Sequence, residues 1–389
     1  MYSYTFEAGG EVQKREAAAK REIITGLLQK NKVDGLILNT QANFAWASGG
    51  ANNWVSIADA NGVASLVFKA DGAAYAVLDN LEGPRFESEE KLGRLGFELI
   101  EAPWWESDKR GRLLFDLARG HGKLPQVASD NTMEGTLNWA GEVAHARWSL
   151  IADERDRYHQ VCRAAAEALE STCLEITPGM SEWEVAGYLS QACYARGLVP
   201  FVTLVAADDR IFNYRHPIPT FNTIDNYVMV VLCAKGGGLI ANCTRLVHFG
   251  PVTPDILEKQ RHVQTIDATF NLNTKPGAVA GEIFAKAQQA YAYAGYPNEW
   301  QLHHQGGATG YAGREYRAGP GSTDVVVEWQ AFAWNPSITG TKSEDTILVS
   351  SEPGHELEIL TRYPESTWPT VTVSIEGLGS MERPDILER

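Results

Sequence analysis

Two long apolar runs, NYVMVVLCA at 226–234 and LIANCTRLVHF at 239–249, are separated by little more than Gly236-Gly237-Gly238. A glycine triplet between extended runs reads as a strand-to-strand turn, because glycine tolerates the positive φ angles of a tight reversal. Further extended runs follow the same texture: FVTLVAA (201–207), VVVEWQAFAW (325–334) and DTILVSS (345–351). Helical stretches near 254–268 and 279–294 interrupt them. Strands in one block and helices in another indicate an α+β unit with a mainly antiparallel sheet backed by helices.

The preceding residues alternate instead. Residues 11–32 are rich in Ala, Lys and Glu and read as a helix, and VDGLILNT (33–40) as a buried strand. VASLVFKA (63–70) and AAYAVLDN (73–80) flank Asp71-Gly72, a hairpin signal. Helices are expected at 83–93 and 107–120, with an extended run at 97–103. This pattern indicates an α/β domain over 1–148, followed by the α+β domain over 149–389. A long helix is expected from about Ala146, stopped by Thr177-Pro178-Gly179. Ser181 and Glu184 then form a capping box for the next helix.

A chain of 389 residues has room for two such cores, and its formal net charge of −15 lacks basic blocks. Nucleic acid and acidic membrane surfaces are therefore not expected partners. No run approaches the roughly 20 apolar residues of a membrane span, and the N-terminus has no signal-peptide core. The five scattered cysteines read as buried free thiols in a reducing compartment, so a cytoplasmic location is expected. Neither glycine run ends in Lys-Ser/Thr before a helix, so neither reads as a phosphate loop.

Four C-terminal motifs occur in an informative order: NYRHPIP with His216, CAKGGGLIANCTR, HHQGGATGYAGRE with His303, and FAWNPSITGTKSEDTILVS. In this order the chain resembles the pita-bread family of methionine aminopeptidase, prolidase, aminopeptidase P and creatinase. The resemblance extends to NFAWASGG (43–50) in the first domain. It implies a creatinase-like N-terminal domain and a pita-bread catalytic-type domain. It also implies a homodimer in which one subunit's N-terminal domain reaches over the partner's site, with Asn43, Phe44, Asn52, Asn53 and Trp54 as candidates for that contact.

The metallopeptidases of that family hold two divalent ions with Asp, Asp, His, Glu and Glu. Carried over by motif, these positions fall on Val231, Asn242, Gly307, Asn335 and Glu344. Only Glu344 keeps a ligating carboxylate. Divalent cations need anionic oxygens or imidazoles to offset dehydration, so neither a metal pair nor any other cofactor is expected. What survives resembles creatinase, the metal-independent branch. His216 is the expected acid/base, since an imidazole titrates near neutrality. Glu344 would orient it or bind a cationic group, and His303 would complete the catalytic set.

Arg314 offers a bidentate fork for a carboxylate. Asn335 and Asn242 should line the cavity as neutral hydrogen-bonders, with Arg245, Tyr311 and Trp54 completing the substrate contacts. Trp46 and Trp334 also lie in segments that border the site in this family. A single carboxylate argues against a guanidinium substrate. The expectation is a hydrolase or a lyase cleaving a C–N or similar bond in a small, polar, carboxylate-bearing molecule. A binding protein descended from an Xaa-Pro peptidase and an Xaa-Pro metallopeptidase with atypical ligands remain as alternatives.

Overall fold

The computed structural model describes residues 2–120 and 126–389. The chain opens with helix α1 (Glu11–Asn31), which stops where Lys32 turns left-handed and donates its N–H back to Gln29 and Leu28. Strand β1 (Gly35–Thr40) runs directly into helix α2 (Gln41–Ala47), capped by the Thr40 hydroxyl on the Asn43 N–H. The α2 segment escapes sequence reading because its polar Gln41 and Asn43 are as buried as Phe44 and Trp46, which erases any amphipathic period. Strands β2 (Asn61–Lys69) and β3 (Ala74–Asp79) form the expected hairpin around Asp71-Gly72.

Helix α3 covers only Gly83–Ser88, because Lys91 turns left-handed and starts a separate 3-10 turn at Leu92–Leu95. Strand β4 (Glu98–Ala102), helix α4 (Ser107–Ala118) and strands β5 (Val127–Ser129) and β6 (Leu137–Asn138) follow. The six strands make one mixed sheet in the order β4-β3-β2-β1-β5-β6.

The long helix expected from about Ala146 is present as one element but starts later, preceded by a separate short helix. After α5 (Ala140–Ala146) the chain breaks at 147–151, and α6 (Ala152–Glu175) restarts where the Glu154 carboxylate accepts the Ile151 N–H. Helix α7 (Glu182–Tyr194) carries the Ser181/Glu184 capping box. Strands β7 (Val199–Ala207), β8 (Tyr227–Gly236) and β9 (Leu239–His248) are antiparallel neighbours, with the short α8 (Asp209–Asn213) between β7 and β8.

The glycine triplet makes the predicted turn. Gly237 and Gly238 have φ of 50° and 80°, and a Cβ on Gly238 would stand 2.5 Å from the Ala45 Cβ. The turn thus packs directly on α2. Helices α9 (Pro254–Asn273) and α10 (Ala280–Tyr293) precede strands β10 (Gly306–Thr309), β11 (Tyr316–Arg317), β12 (Gln330–Trp334), β13 (Ser337–Ile338), β14 (Thr341–Lys342), β15 (Ile347–Val349) and β16 (Leu357–Ile359). A second antiparallel sheet runs β11-β10-β12-β15-β16, and β13-β14 is a hairpin of its own. The hairpin of β17 (Thr370–Ile375) and β18 (Gly379–Pro384) and the short β19 (Leu387–Glu388), parallel to β9, end the chain. No helix among the described residues is long and apolar enough to cross a membrane.

A buried ionic chain joins α1 to α6 and to the glycine loop after β10. Lys20 Nζ lies 2.5 Å from Glu154 Oε2. Arg157 Nη2 donates to Glu16 Oε1 at 3.0 Å and to the Tyr311 hydroxyl at 2.5 Å, which in turn donates to Glu154 Oε1 at 2.8 Å. Glu16, Lys20 and Glu154 are fully buried. Removing one member leaves an opposite charge uncompensated in the interior. Arg157→Ala is expected to cost about 3–5 kcal/mol, read as a lower urea midpoint, with partial recovery when Glu16→Gln is added. A loss below about 1 kcal/mol would show that the chain of charges is not what holds these elements together.

Candidate active site

Three histidine rings converge at one end of the β7–β9 sheet. His216 sits in the exposed loop after α8, steadied by its neighbour Arg215, whose guanidinium lies 2.7 Å from Glu299 Oε2. His303 and His304 follow the 3-10 turn Glu299–Leu302 and lead into β10. His216 and His303 meet edge-on, Nε2 to Nε2 at 3.1 Å, while the His303 and His304 rings stack at 4.5 Å.

Burial pushes all three imidazoles below their ordinary range, and nearby Lys342 adds to this: His303 to about 2, His304 to about 4, and His216 in the same direction. Arg314 and Arg317 also act on His216 and His304, and Glu344 opposes the shift at His216 and His303. The cluster is therefore neutral at neutral pH. With its Nε2 committed to His303, His216 presents Nδ1 as its working nitrogen.

Beside the histidines lies a buried charge cluster. Lys342 Nζ is 2.7 Å from Glu344 Oε2, and Arg314 Nη2 donates to Glu344 Oε1 at 2.9 Å. The Thr244 hydroxyl adds a bond to Oε2 at 2.8 Å. Burial alone would raise the Glu344 pKa, but Lys342 and Arg314 outweigh it and hold the carboxyl at about 2. Arg314 Nη1 donates to Asn242 Oδ1 at 2.9 Å and to the Gly313 carbonyl at 2.6 Å, and the Asn242 amide donates to Thr309 and Ile240. Among the described residues, the buried Arg314 Nε, His303 Nδ1, Asn335 Oδ1 and Ser337 Oγ of this region have no protein partner. Such orphans are rare in interiors and mark places where a ligand or water completes the bonding.

The residues do not fit the family's metal pair. Val231 is packed among Leu204, Met229 and Leu246. A Cβ on Gly307 would stand 2.3 Å from the Tyr316 carbonyl oxygen, so β11 has closed over the space a side chain would need. Of the three positions that keep a side-chain oxygen, Glu344 and Asn242 are spent on Arg314, and Asn335 offers only a neutral amide oxygen. A second possibility is the triad itself, whose His216, His303 and His304 nitrogens lie within 4.8 Å of one another. Its surroundings oppose a cation. Metal-bound imidazoles normally donate their other N–H to an acceptor, yet His303 Nδ1 has no partner and His304 Nδ1 is itself the acceptor of the Gly306 N–H at 3.3 Å. Lys342, Arg314 and Arg317 add positive charge around it.

Several expected contacts are placed elsewhere. Glu344 does not orient His216; His303 does. Arg314 is not an open fork, because both terminal nitrogens are committed. Asn242 is likewise saturated, while Asn335 lies beside the cluster with its N–H on the Gln305 carbonyl. Arg245 points to the other side of the sheet, clamped between Glu170 and Asp345 at 3.0 Å each, where it lines a cavity of about 880 Å³ with Trp368 and Tyr363. Tyr311 belongs to the ionic chain with Arg157.

Trp54 is not brought to the histidines: it lies between α2 and β2, where neighbouring Asn53 holds both backbone groups of Ala64. Asn43 is likewise tied to Asp130, and Trp46 and Phe44 are core. Trp334 stacks on Phe270 at 4.5 Å in the core behind β12. Cys233, opposite Asn242 on β8, is half-buried, whereas the other four cysteines are buried as expected. Lys342 is a site residue outside the sequence expectations. Its signal was there: it stands two residues before Glu344, on the same side of an extended chain.

Residues 156–351, just over half of the chain, match the family profile of metallopeptidase family M24. Among solved structures, the dipeptidase PepE from Mycobacterium ulcerans superposes with a TM-score of 0.74 at 17% identity, covering 92% of this chain and 98% of that one. The prolidase from Pyrococcus horikoshii OT3 gives 0.72 at 18%, over 88% and 98%. The N-terminal domain of the FACT complex subunit SPT16 from chickpea, Cicer arietinum, gives 0.67 at 10%, over 90% and 96%. No curated protein matches the sequence. At such identities the superpositions establish the fold alone, an α/β N-terminal part followed by an α+β pita-bread part, as the motif order implied. Fold and profile together place the chain in metallopeptidase family M24.

Proposed function

We propose that this M24 member is a metal-independent, creatinase-like enzyme. It would cleave a C–N or similar bond in a small polar molecule that carries a carboxylate. One observation supports this most: the single surviving carboxylate, Glu344, is neutralised by two internal cations, Lys342 and Arg314. The cluster therefore keeps a net positive charge beside three neutral imidazoles, which favours an anionic substrate over a metal cation.

In the hydrolytic course, His216 Nδ1 takes a proton from water as the water oxygen bonds to the carbon. The C–N bond then breaks and the proton passes to the leaving nitrogen. His303, held neutral by burial, keeps the His216 ring in place through Nε2. Lys342 has two further N–H bonds for the substrate's negative charge, and Asn335 Oδ1 is an acceptor without a partner. The same base could abstract a carbon-bound proton and expel the nitrogen, which makes elimination the alternative outcome. In this reading the working unit is a cytoplasmic homodimer, with Trp54 of one protomer over the site of its partner.

A second, non-catalytic reading draws on the FACT subunit, which has this fold and is described as part of a complex. Turnover decides between them. Purified protein assayed against small amides, ureas and amidines should turn over at least one compound equally with and without chelator. Two or more equivalents of tightly held Mn, Co or Zn, or Mn-stimulated hydrolysis of an Xaa-Pro dipeptide, would overturn metal independence. His216→Ala should lower kcat/KM by about 10²- to 10⁴-fold. Undiminished turnover in that variant would sink the mechanism.

The charge environment makes two pH predictions. His216 works unprotonated with a lowered pKa, so activity should hold above that pKa and fall as pH drops through it. Lys342→Met removes a cation that depresses the pKa, so the acid limb should move to higher pH. His303 binds no proton in the folded chain until about pH 2, whereas unfolded histidine protonates near 6.5. Its contribution to stability is therefore complete above 6.5 and declines as pH falls. Between pH 6 and 5, His303→Gln should flatten the slope of unfolding free energy by about 1 kcal/mol per pH unit. An unchanged slope in urea titrations would contradict the buried, neutral assignment.

A further inference from the structure

A cavity of about 410 Å³ lies between the two parts of the molecule, away from the histidines. Lys235 reaches into it from β8. Its Nζ bonds the Gln41 Oε1 at 3.0 Å, and no carboxylate lies within ion-pair distance of it among the described residues. Gln41 is held in that pose, since its own amide donates to the Ser56 and Asp59 carbonyls.

The other charged groups facing the cavity are accounted for. Arg147 is committed to Glu315 and Asn43. The Asp130 carboxylate is taken up by the Asn39 and Thr40 N–H groups, the Thr40 hydroxyl and the Asn43 amide. Asp59 is exposed at the rim. Lys235 is thus the wall cation with donors to spare, and burial without a counter-charge pulls its pKa down to about 8.

Apart from Thr40, Asn43 and Tyr311, whose polar groups are bonded within the protein, the rest of the wall is apolar. Ile240 stands opposite Lys235 on β9. Phe201 sits at a bulge where β7 skips a pairing between Pro200 and Val202, an arrangement that re-aims a side chain. Phe201 and Ile57 are 46% and 39% exposed, large for apolar groups lining a cavity. Along β8, Lys235 lies four residues beyond Val231, about 13 Å at 3.3 Å per residue. Val231 pairs with Thr244, which bonds Glu344. No side chain of the histidine and Glu344 cluster lines the cavity, which borders that cluster through Gly313 and Ile240, whose carbonyls accept from Arg314 Nη1 and the Asn242 amide.

We propose that this cavity is a second ligand site, for a small monocarboxylate with an aromatic or branched aliphatic body. The carboxylate pairs with Lys235, and the apolar body covers Phe201, Ile57 and Ile240. The inference does not depend on the proposed reaction. It is tested by calorimetric titration of the full chain with 3-phenylpropionate, 3-methylbutanoate, the neutral 3-phenylpropanamide and inorganic phosphate.

At least one of the two carboxylates should bind, with net proton uptake at pH 8 as Lys235 regains its charge. Lys235→Met should weaken that binding by about tenfold or more, a loss equivalent to one ion pair in a partly buried setting. Lys235→Arg should keep most of it, and His216→Ala all of it. Failure of both carboxylates to bind the wild type would overturn the site, as would equal binding by Lys235→Met or loss in His216→Ala. Tighter binding of the amide or of phosphate would overturn the assigned ligand class.

Discussion

A buried carboxylate needs compensation, and in this molecule Glu344 receives it from Lys342 and Arg314. Much of the site follows from that pairing. Arg314 has a second terminal nitrogen to satisfy, and Asn242 offers it a neutral acceptor. With Glu344 neutralised, the surplus charge of the cluster is positive; it adds to the burial that keeps the adjacent imidazoles unprotonated, and it opposes a further cation. The same electrostatics that disfavour a metal pair suit an anionic ligand.

The histidines are a consequence of the same environment. His303 is buried, touches His216 through Nε2, and retains an unpartnered Nδ1. A neutral ring at that place can fix its neighbour's orientation without competing for the proton. His216, in the exposed loop, keeps access to solvent. The division between one buried neutral imidazole and one accessible imidazole is set by burial and by Lys342, not by residue type.

The support of the site lies far from its chemistry. Glu315 accepts the N–H groups of Tyr311 and Ala312 and pairs with Arg147, while Tyr311 closes the ionic chain of Arg157, Glu16 and Glu154. The glycine loop that carries Arg314 is thus pinned to α1 and α6. Gly306 and Gly307 allow β12 and β11 to pack where side chains would otherwise stand. Restoring a histidine at Gly307 would displace a strand, so a single substitution cannot rebuild that ligand.

The sequence by itself determined the order of elements, the two-part fold and the replacement of the family's ligand types at Val231, Asn242, Gly307 and Asn335. Each of these is carried by local pattern: alternation, glycine turns, and the identity of a residue within a motif. It also pointed to His216 and His303. Only the tertiary structure decided who pairs with whom. Arg245 turned to Glu170, Tyr311 to Arg157, and Arg314 to Glu344 and Asn242, across separations from 30 to 154 residues. For Lys342 the spacing from Glu344 is legible in the sequence, but its burial is not. A lysine before an acidic pair reads as a solvated charge until the fold buries it against Glu344. Charge partners in an interior are chosen by three-dimensional proximity and the cost of desolvation, and neither quantity is written in the local sequence.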